Sequence, residues 1–152
     1  MATQDNTDKV PQGFEPLVPG GVWLSHAGPL YQRAAPGGGV VIGLRLAQQH
    51  TNMRGIAHGG MLVTLADSAL GRNMHMTRQP PAPMVSVNLS TDFLGAAKVG
   101  DWLEAHVQVR KHGARLSFAE CELRVGDKVV VRCSGVFAVV EPLTAQKEVP
   151  EG

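Results

Sequence analysis

An aspartate, Asp67, sits within a stretch that otherwise reads as a core helix, nine residues after the histidine of the tripeptide His58-Gly59-Gly60 in "HGGMLVTLADSALG". A carboxylate can attack a carbonyl carbon or take a proton from water. The first amides of a helix have no partner inside it, and they carry the positive end of its dipole, on the order of half a charge. Gly59 and Gly60 bring no side chain to shield those amides, so a group that is or becomes negative can sit directly on them. One segment thus offers an oxyanion-stabilising helix end and a reactive carboxylate. Each feature also has a plain structural reading. Gly-Gly before a helix is often only a tight turn, and a helical aspartate is commonly solvated.

The faces of the helix bear on that choice. At 100° per residue Leu62, Leu65, Ala66, Ala69 and Leu70 form one stripe, the natural core face. The opposite side carries Thr64, Asp67, Ser68 and Gly71, all small or polar, with no Lys, Glu, Arg or Gln before Arg72. A solvated helix would carry such long charged residues. Small residues let another backbone or a ligand come close, which makes Asp67 and Ser68 candidates for contact with a ligand. The helix runs from Gly59 to about Met74 and is ended by the turn-rich "RQPPAP", because proline cannot continue it.

Strands must position this helix. Two short β-like runs precede it, Pro29–Ala35 and Val40–Ala47, about the turn "PGGG". After it, "MVSVNLSTDFL" alternates Val85, Val87, Leu89, Thr91 and Phe93 against Ser86, Asn88, Ser90 and Asp92, a period of two with one face buried. Runs at Trp102–Arg110, Arg115–Val125 and Val129–Val140 follow. Four consecutive strands with hairpin-length turns are expected to be antiparallel. The order is two strands, one helix, four strands. A lone apolar helix must be covered by one strongly curved sheet, an α+β arrangement.

The whole chain sets further bounds. Its 152 residues suit one domain, read as a loosely packed leader over 1–21, a folded unit over 22–142 and a tail over 143–152. With 43% apolar and 18% charged residues the composition is that of an ordinary globular protein. A net charge of +1 and the lack of any basic run of five give no field for nucleic acid or an anionic membrane. The apolar stretches fall short of the roughly 18 residues a membrane span needs. The polar N-terminus carries no secretory signal, so a cytoplasmic protein is expected. Cys121 and Cys133, the only cysteines, lie on two runs joined about "VGDK" and are expected to be free and buried. A two-residue turn would put them on opposite faces and a three-residue loop side by side; the sequence leaves that register open.

The combination Asn52, His58-Gly59-Gly60 and Asp67, spaced as Asn-x-x-Gly-x-x-His-Gly-Gly before an acidic helix residue, resembles the hotdog-fold acyl-CoA thioesterases of the PaaI-like branch. "VSVNLSTDFLGAAKVGDWLEAHVQV" is similar to their strand after the helix, including the Gly100-Asp101 turn. The likeness covers about residues 35–140. It implies a hotdog fold, a curved antiparallel sheet wrapped about one helix, and agrees with the element order above. It implies a homodimer joined edge to edge with the active sites shared, and dimers associating into a tetramer. By position, Gly59 would give its N–H to the thioester carbonyl, and Asp67 of the partner subunit would act as nucleophile or general base. Asn52 would hold water or the thioester in line, and Ser86 matches a hydroxyl some members place beside the acid.

Fixed amides suit the oxyanion of thioester hydrolysis, and no cofactor is implied. The six histidines, among them His26, His50, His75 and His106, show no HExxH or Cys/His ligand spacing, so no metal is expected. His58 reads as structural, bonded to its loop, ahead of acid–base work. A serine hydrolase would need G-x-S-x-G, which is missing. For the CoA phosphates the best cluster is "RKHGAR", with Arg110, Lys111, His112 and Arg115 on a turn between strands; Arg54 and Arg132 are weaker. The same cluster also reads as a solvated hairpin. Two other functions stay open at this level: a non-catalytic acyl-CoA-binding module, and a hotdog hydratase or dehydratase that would use His58 with an acid.

Overall fold

The computed structural model describes residues 9–143; residues 1–8 of the expected leader and 144–152 of the expected tail lie outside them. In chain order the elements are β1 (Glu15–Leu17), α1 (Val22–Ala27), β2 (Leu30–Ala34), β3 (Val40–Arg45), α2 (Gly59–Thr77), β4 (Met84–Phe93), β5 (Trp102–His112), β6 (Leu116–Val125) and β7 (Lys128–Val139). All strands join one antiparallel sheet in the order β1-β2-β3-β5-β6-β7-β4. The sheet wraps around α2. This is the hotdog architecture that the element order and the resemblance both implied.

The predicted core stripe is the observed one. Leu62, Leu65, Ala66, Ala69 and Leu70 are all buried, against Ile42 and Leu44 of β3, Leu103 and Ala105 of β5, Leu123 of β6 and Val131 of β7. α2 runs one turn past the expected Met74, to Thr77. The Arg78 N–H still bonds to Met74 O, and Gln79 is restrained by the following Pro80. No described helix is long and apolar enough to cross a membrane.

Two features depart from the local reading. β1 falls where a loosely packed leader was expected, and α1 at the start of the folded unit, where no element was predicted. Phe14 packs edge-on against Trp102 (centroids 5.1 Å apart) and Leu17 is buried, so long-range contacts order a proline-rich stretch of poor intrinsic propensity. β4, in turn, does not pair with the strand that follows it. The chain crosses the sheet, β5 joins β3, and β4 lies at the far edge on β7.

The outer face of the sheet is braced where Gly43 faces Trp102. A Cβ at Gly43 would overlap the Trp102 ring and press on Phe14. Gly43→Ala is expected to lower stability by about 1–3 kcal/mol, the usual scale of overpacking, seen as a drop in urea midpoint at unchanged slope. An unchanged midpoint would mean that this aromatic contact is loose.

Cys121 and Cys133 are free, buried and directly opposite in the β6–β7 register. The turn is the two-residue Gly126-Asp127, which alone would offset them, but a bulge on β7 between Val129 and Val131 adds one residue and restores the pairing. Burial pushes both thiols above the usual range.

Candidate active site

The loop before α2 is built largely on its own backbone. Thr51 bridges Ala57, Ile56 bridges Lys98, and the His58 N–H bonds to His50 O at 2.8 Å. The Asn52 side chain turns the loop, its Oδ1 accepting from the Arg54 N–H at 2.8 Å. That leaves the Asn52 amide nitrogen with no protein partner among the described residues.

His58 is the N-cap of α2. Its Nδ1 accepts the Gly60 N–H at 2.9 Å, so the ring does the work usually given to Ser, Thr, Asp or Asn. The expectation that both glycine amides lie open is therefore corrected: Gly60 is engaged, while Gly59 has no acceptor among the described residues. Phe93 covers Gly59, since a Cβ there would lie 3.3 Å from its ring. Only a residue without a side chain leaves that amide approachable. The structural reading of His58 is the one its geometry supports.

Asp67 is half-buried two turns further along, facing β4. The Ser86 hydroxyl donates to Asp67 Oδ1 at 2.5 Å. A bulge makes this contact possible. Register shifts between Ser86 and Asn88, so Val87 is the extra residue and Ser86 comes onto the helix-facing side with Leu89, Thr91 and Phe93. The unbroken alternation expected over Val85–Phe93 is wrong at this point, and Val85 and Val87 are left 50% and 58% exposed. The bulge re-aims a hydroxyl at the carboxylate and fixes one of its two oxygens.

The small-residue stripe does admit close neighbours. Gly71 takes the Phe137 ring, and α1 lies over Thr64, whose Oγ1 accepts from Trp23 Nε1 at 3.3 Å. Ser68 spends its hydroxyl on Thr64 O at 2.8 Å, which does not favour the substrate contact expected of it.

Arg110, Lys111, His112 and Arg115 are not brought to the glycine end. His112 bonds to Thr77 Oγ1 (3.0 Å) and Ser117 Oγ (2.7 Å), which places the turn at the C-terminal end of α2, roughly 28 Å from Gly59 for its 19 residues. Arg110 is paired with Glu120, and Lys111 and Arg115 are exposed. Burial and then the Arg78 charge hold His112 below the ordinary imidazole range, so it is a poor cation for a phosphate. Within one chain these residues cannot serve a thioester held at Gly59. Phe93, which the sequence reading did not single out for the site, does border Gly59, and Trp23, also not singled out, lies over Thr64 one turn further along. An isolated aromatic in a glycine-rich leader and one on a strand gave no signal of their own.

Residues 54–132 match the family model described as Thioesterase superfamily. A Pseudomonas aeruginosa protein named as an esterase, PA0474, is 47% identical over 128 residues, covering 84% of this chain and 96% of that one. Mouse acyl-coenzyme A thioesterase 13 is 34% identical over 80 residues, covering 53% of this chain and 56% of the mouse protein. The E. coli PaaI protein from the phenylacetic acid degradation operon superposes with a TM-score of 0.62 at 26% identity, covering 66% of this chain and 72% of that one. The chain belongs to the thioesterase superfamily, and it is a thioester hydrolase.

Proposed function

We propose that this chain hydrolyses acyl-CoA thioesters at a site shared by two subunits, with the Gly59 N–H of one and Asp67 of the partner subunit. The observation that carries the reading is a distance. Gly59 and Asp67 are eight residues apart on one straight helix, roughly 12 Å along its axis, whereas both must lie within about 3 Å of the same reacting group. They can act together only if a second copy brings its own helix alongside.

The edge strand points the same way. β4 is ten residues long, carries Val85 and Val87 exposed, and has one side without a strand neighbour. Such an edge invites pairing with another strand. Pairing of β4 with its copy would continue the sheet and set Asp67, bonded to β4 through Ser86, beside the junction. A tetramer of such dimers extends the same reading.

The chemistry then follows. The thioester carbonyl oxygen accepts from the Gly59 N–H, where charge developing on it meets the helix dipole. Asp67, with Oδ1 held by Ser86, uses its other oxygen either to attack the carbonyl carbon or to deprotonate an attacking water. The C–S bond breaks and the CoA thiolate takes a proton; where Asp67 has attacked, water then cleaves the acyl–Asp67 anhydride, and by either route the free acid leaves. The spare Asn52 amide can donate to the water or the sulfur. His58 is committed as the cap, which removes the acid–base group a hydratase would need.

Two inactive variants test the sharing. Gly59 is the first helical residue and His58 before it is extended (φ −68°, ψ 132°), so Gly59→Pro deletes the N–H with little strain on the helix. Asp67→Asn removes the carboxylate. Refolded together, the two are expected to recover about a quarter of wild-type activity, the statistical yield of one rebuilt site per mixed dimer. No recovery in subunits shown to have exchanged would rule out a shared site.

A further inference from the structure

A half-open cavity of about 320 Å³ lies between α1 and the middle of α2. Leu17 and Ile42 wall it from the sheet, Trp23 and Leu24 from α1, and Ser68 and Arg72 from α2. α1 is held over α2 at both ends. Trp23 Nε1 donates to Thr64 Oγ1, and His50 Nε2 donates to Ala27 O, its Nδ1 being spent on the Ala47 N–H. The walls are therefore preformed. Arg72 brings the one charge among the described residues that line them.

That charge has no counterpart. The other partly buried arginines, Arg33, Arg45, Arg78 and Arg124, each donate to a carboxylate or a backbone carbonyl. Arg72 does not. Its Nε is buried with no acceptor among the described residues, and none of their carboxylates lies within ion-pair reach of the guanidinium. Ser68 gives no help, because its hydroxyl donates to Thr64 O. Gln32 Oε1, on β2 opposite Ile42, is the other buried orphan among the described side chains. A turn of the two side chains toward each other would satisfy one donor and leave the charge uncompensated. A cation held partly out of water without a counter-charge is unfavourable, and an anion in the cavity would relieve it.

We infer that this cavity binds a small organic carboxylate with an apolar body, its carboxylate paired with the Arg72 guanidinium and its body against Leu17, Leu24 and Ile42. A carboxylate matches the guanidinium fork with two parallel N–H···O bonds. A phosphate dianion would call for a second cation, and none lines the cavity among the described residues. A bare inorganic anion would leave the apolar walls uncovered, and a neutral molecule would leave the charge unpaired. Five residues of helix turn Arg72 about 140° around α2 from Asp67, which faces β4, so the site stands whether or not Gly59 and Asp67 act as proposed.

Hexanoate, hexanol, hexylamine and acetate, each titrated calorimetrically, test the site. Hexanoate is expected to bind wild type with a Kd of about 1 mM or tighter, and Arg72→Met at least about ten-fold more weakly. Hexanol and hexylamine should bind wild type at least about ten-fold more weakly than hexanoate. Equal binding of acetate would show an adventitious ion only and overturn the site, because acetate has the charge without the apolar body. Equal hexanoate binding by wild type and Arg72→Met would overturn it as well, as would no binding up to about 20 mM. Melting curves give a second readout. Without ligand, Arg72→Met should melt no lower than wild type, since it loses an unpaired cation, and hexanoate should raise the Tm of wild type alone. A clear drop in the Tm of unliganded Arg72→Met would mean that Arg72 has a structural partner, against the proposal. Ser68→Leu fills the cavity from α2 with Arg72 intact and should also abolish hexanoate binding; undiminished binding there would place the ligand elsewhere.

Discussion

Asp67→Asn is expected to lower kcat for acyl-CoA hydrolysis by at least about a hundred-fold, the scale of losing a general base, with KM changed only a few-fold. The substitution keeps shape. Asn still presents an oxygen to the Ser86 hydroxyl, so the 2.5 Å contact and the angle of the side chain survive. What is lost is the negative oxygen that attacks or accepts a proton. Stability should move by less than about 0.5 kcal/mol, because Asp67 is only half-buried and has no cationic partner among the described residues. Following CoA release with a thiol reagent separates the outcomes. A near-normal kcat would make Asp67 an ordinary helix residue and leave the Ser86 contact as packing.

Asn73→Ala is expected to cost about 3 kcal/mol, a large part of the stability of a domain this size. Asn73 is 3% exposed and acts as a strand partner for Val40. Its Oδ1 accepts the Val40 N–H at 2.9 Å, and its Nδ2 donates to Val40 O at 3.0 Å and to Ala69 O at 2.8 Å. Truncation strands a buried donor and a buried acceptor together, and each orphan costs on the order of 1–3 kcal/mol. Gly39, at φ +77°, is pressed so close to the Asn73 amide that a Cβ there would overlap it, so the loop has little freedom to find another partner. The melting temperature should fall by roughly ten degrees, whereas Gln108→Ala on the exposed outer face should scarcely move it. A change within about one degree for Asn73→Ala would mean that water replaces the amide without loss.

The two residues differ in how far a sequence alone reveals them. Asp67 stood out because a carboxylate on a helix face otherwise made of small residues has few bland explanations. Asn73 did not, because its role is to complete a strand more than thirty residues away. Candidate site residues behaved likewise. The places of Gly59 at the start of α2 and of Asp67 on its small-residue face were legible from helix geometry, and a hydroxyl at Ser86 beside the acid was implied by the resemblance and matches the contact found. Arg110, Lys111, His112 and Arg115 lie, within one chain, at the far end of α2 from Gly59, because clustered charge says nothing about which end of α2 a hairpin will reach. Trp23 was silent, because the Thr64 hydroxyl it bonds lies 41 residues further along the chain.

Local physics determined much of this protein by itself. A 3.6-residue period set the buried stripe of α2, a two-residue period placed the strands, and Pro80 and Pro81 marked where the helix must stop. A single apolar helix with six strands admitted little besides a curved sheet wrapped around it. Tertiary structure alone decided the rest: β4 on β7 at the sheet edge, β1 and α1 folded down by Phe14, Leu17 and Trp23, and His58 turned to cap its own helix. It also decided two registers, since one extra residue at Val87 aims Ser86 at Asp67 and one at Val130 sets Cys121 opposite Cys133. The reason is one of range. Periodicity is a property of neighbours a few residues apart, whereas a bulge or an edge position is chosen by strands that meet only after the chain has closed on itself, and a shift of one residue there reverses every side chain beyond it.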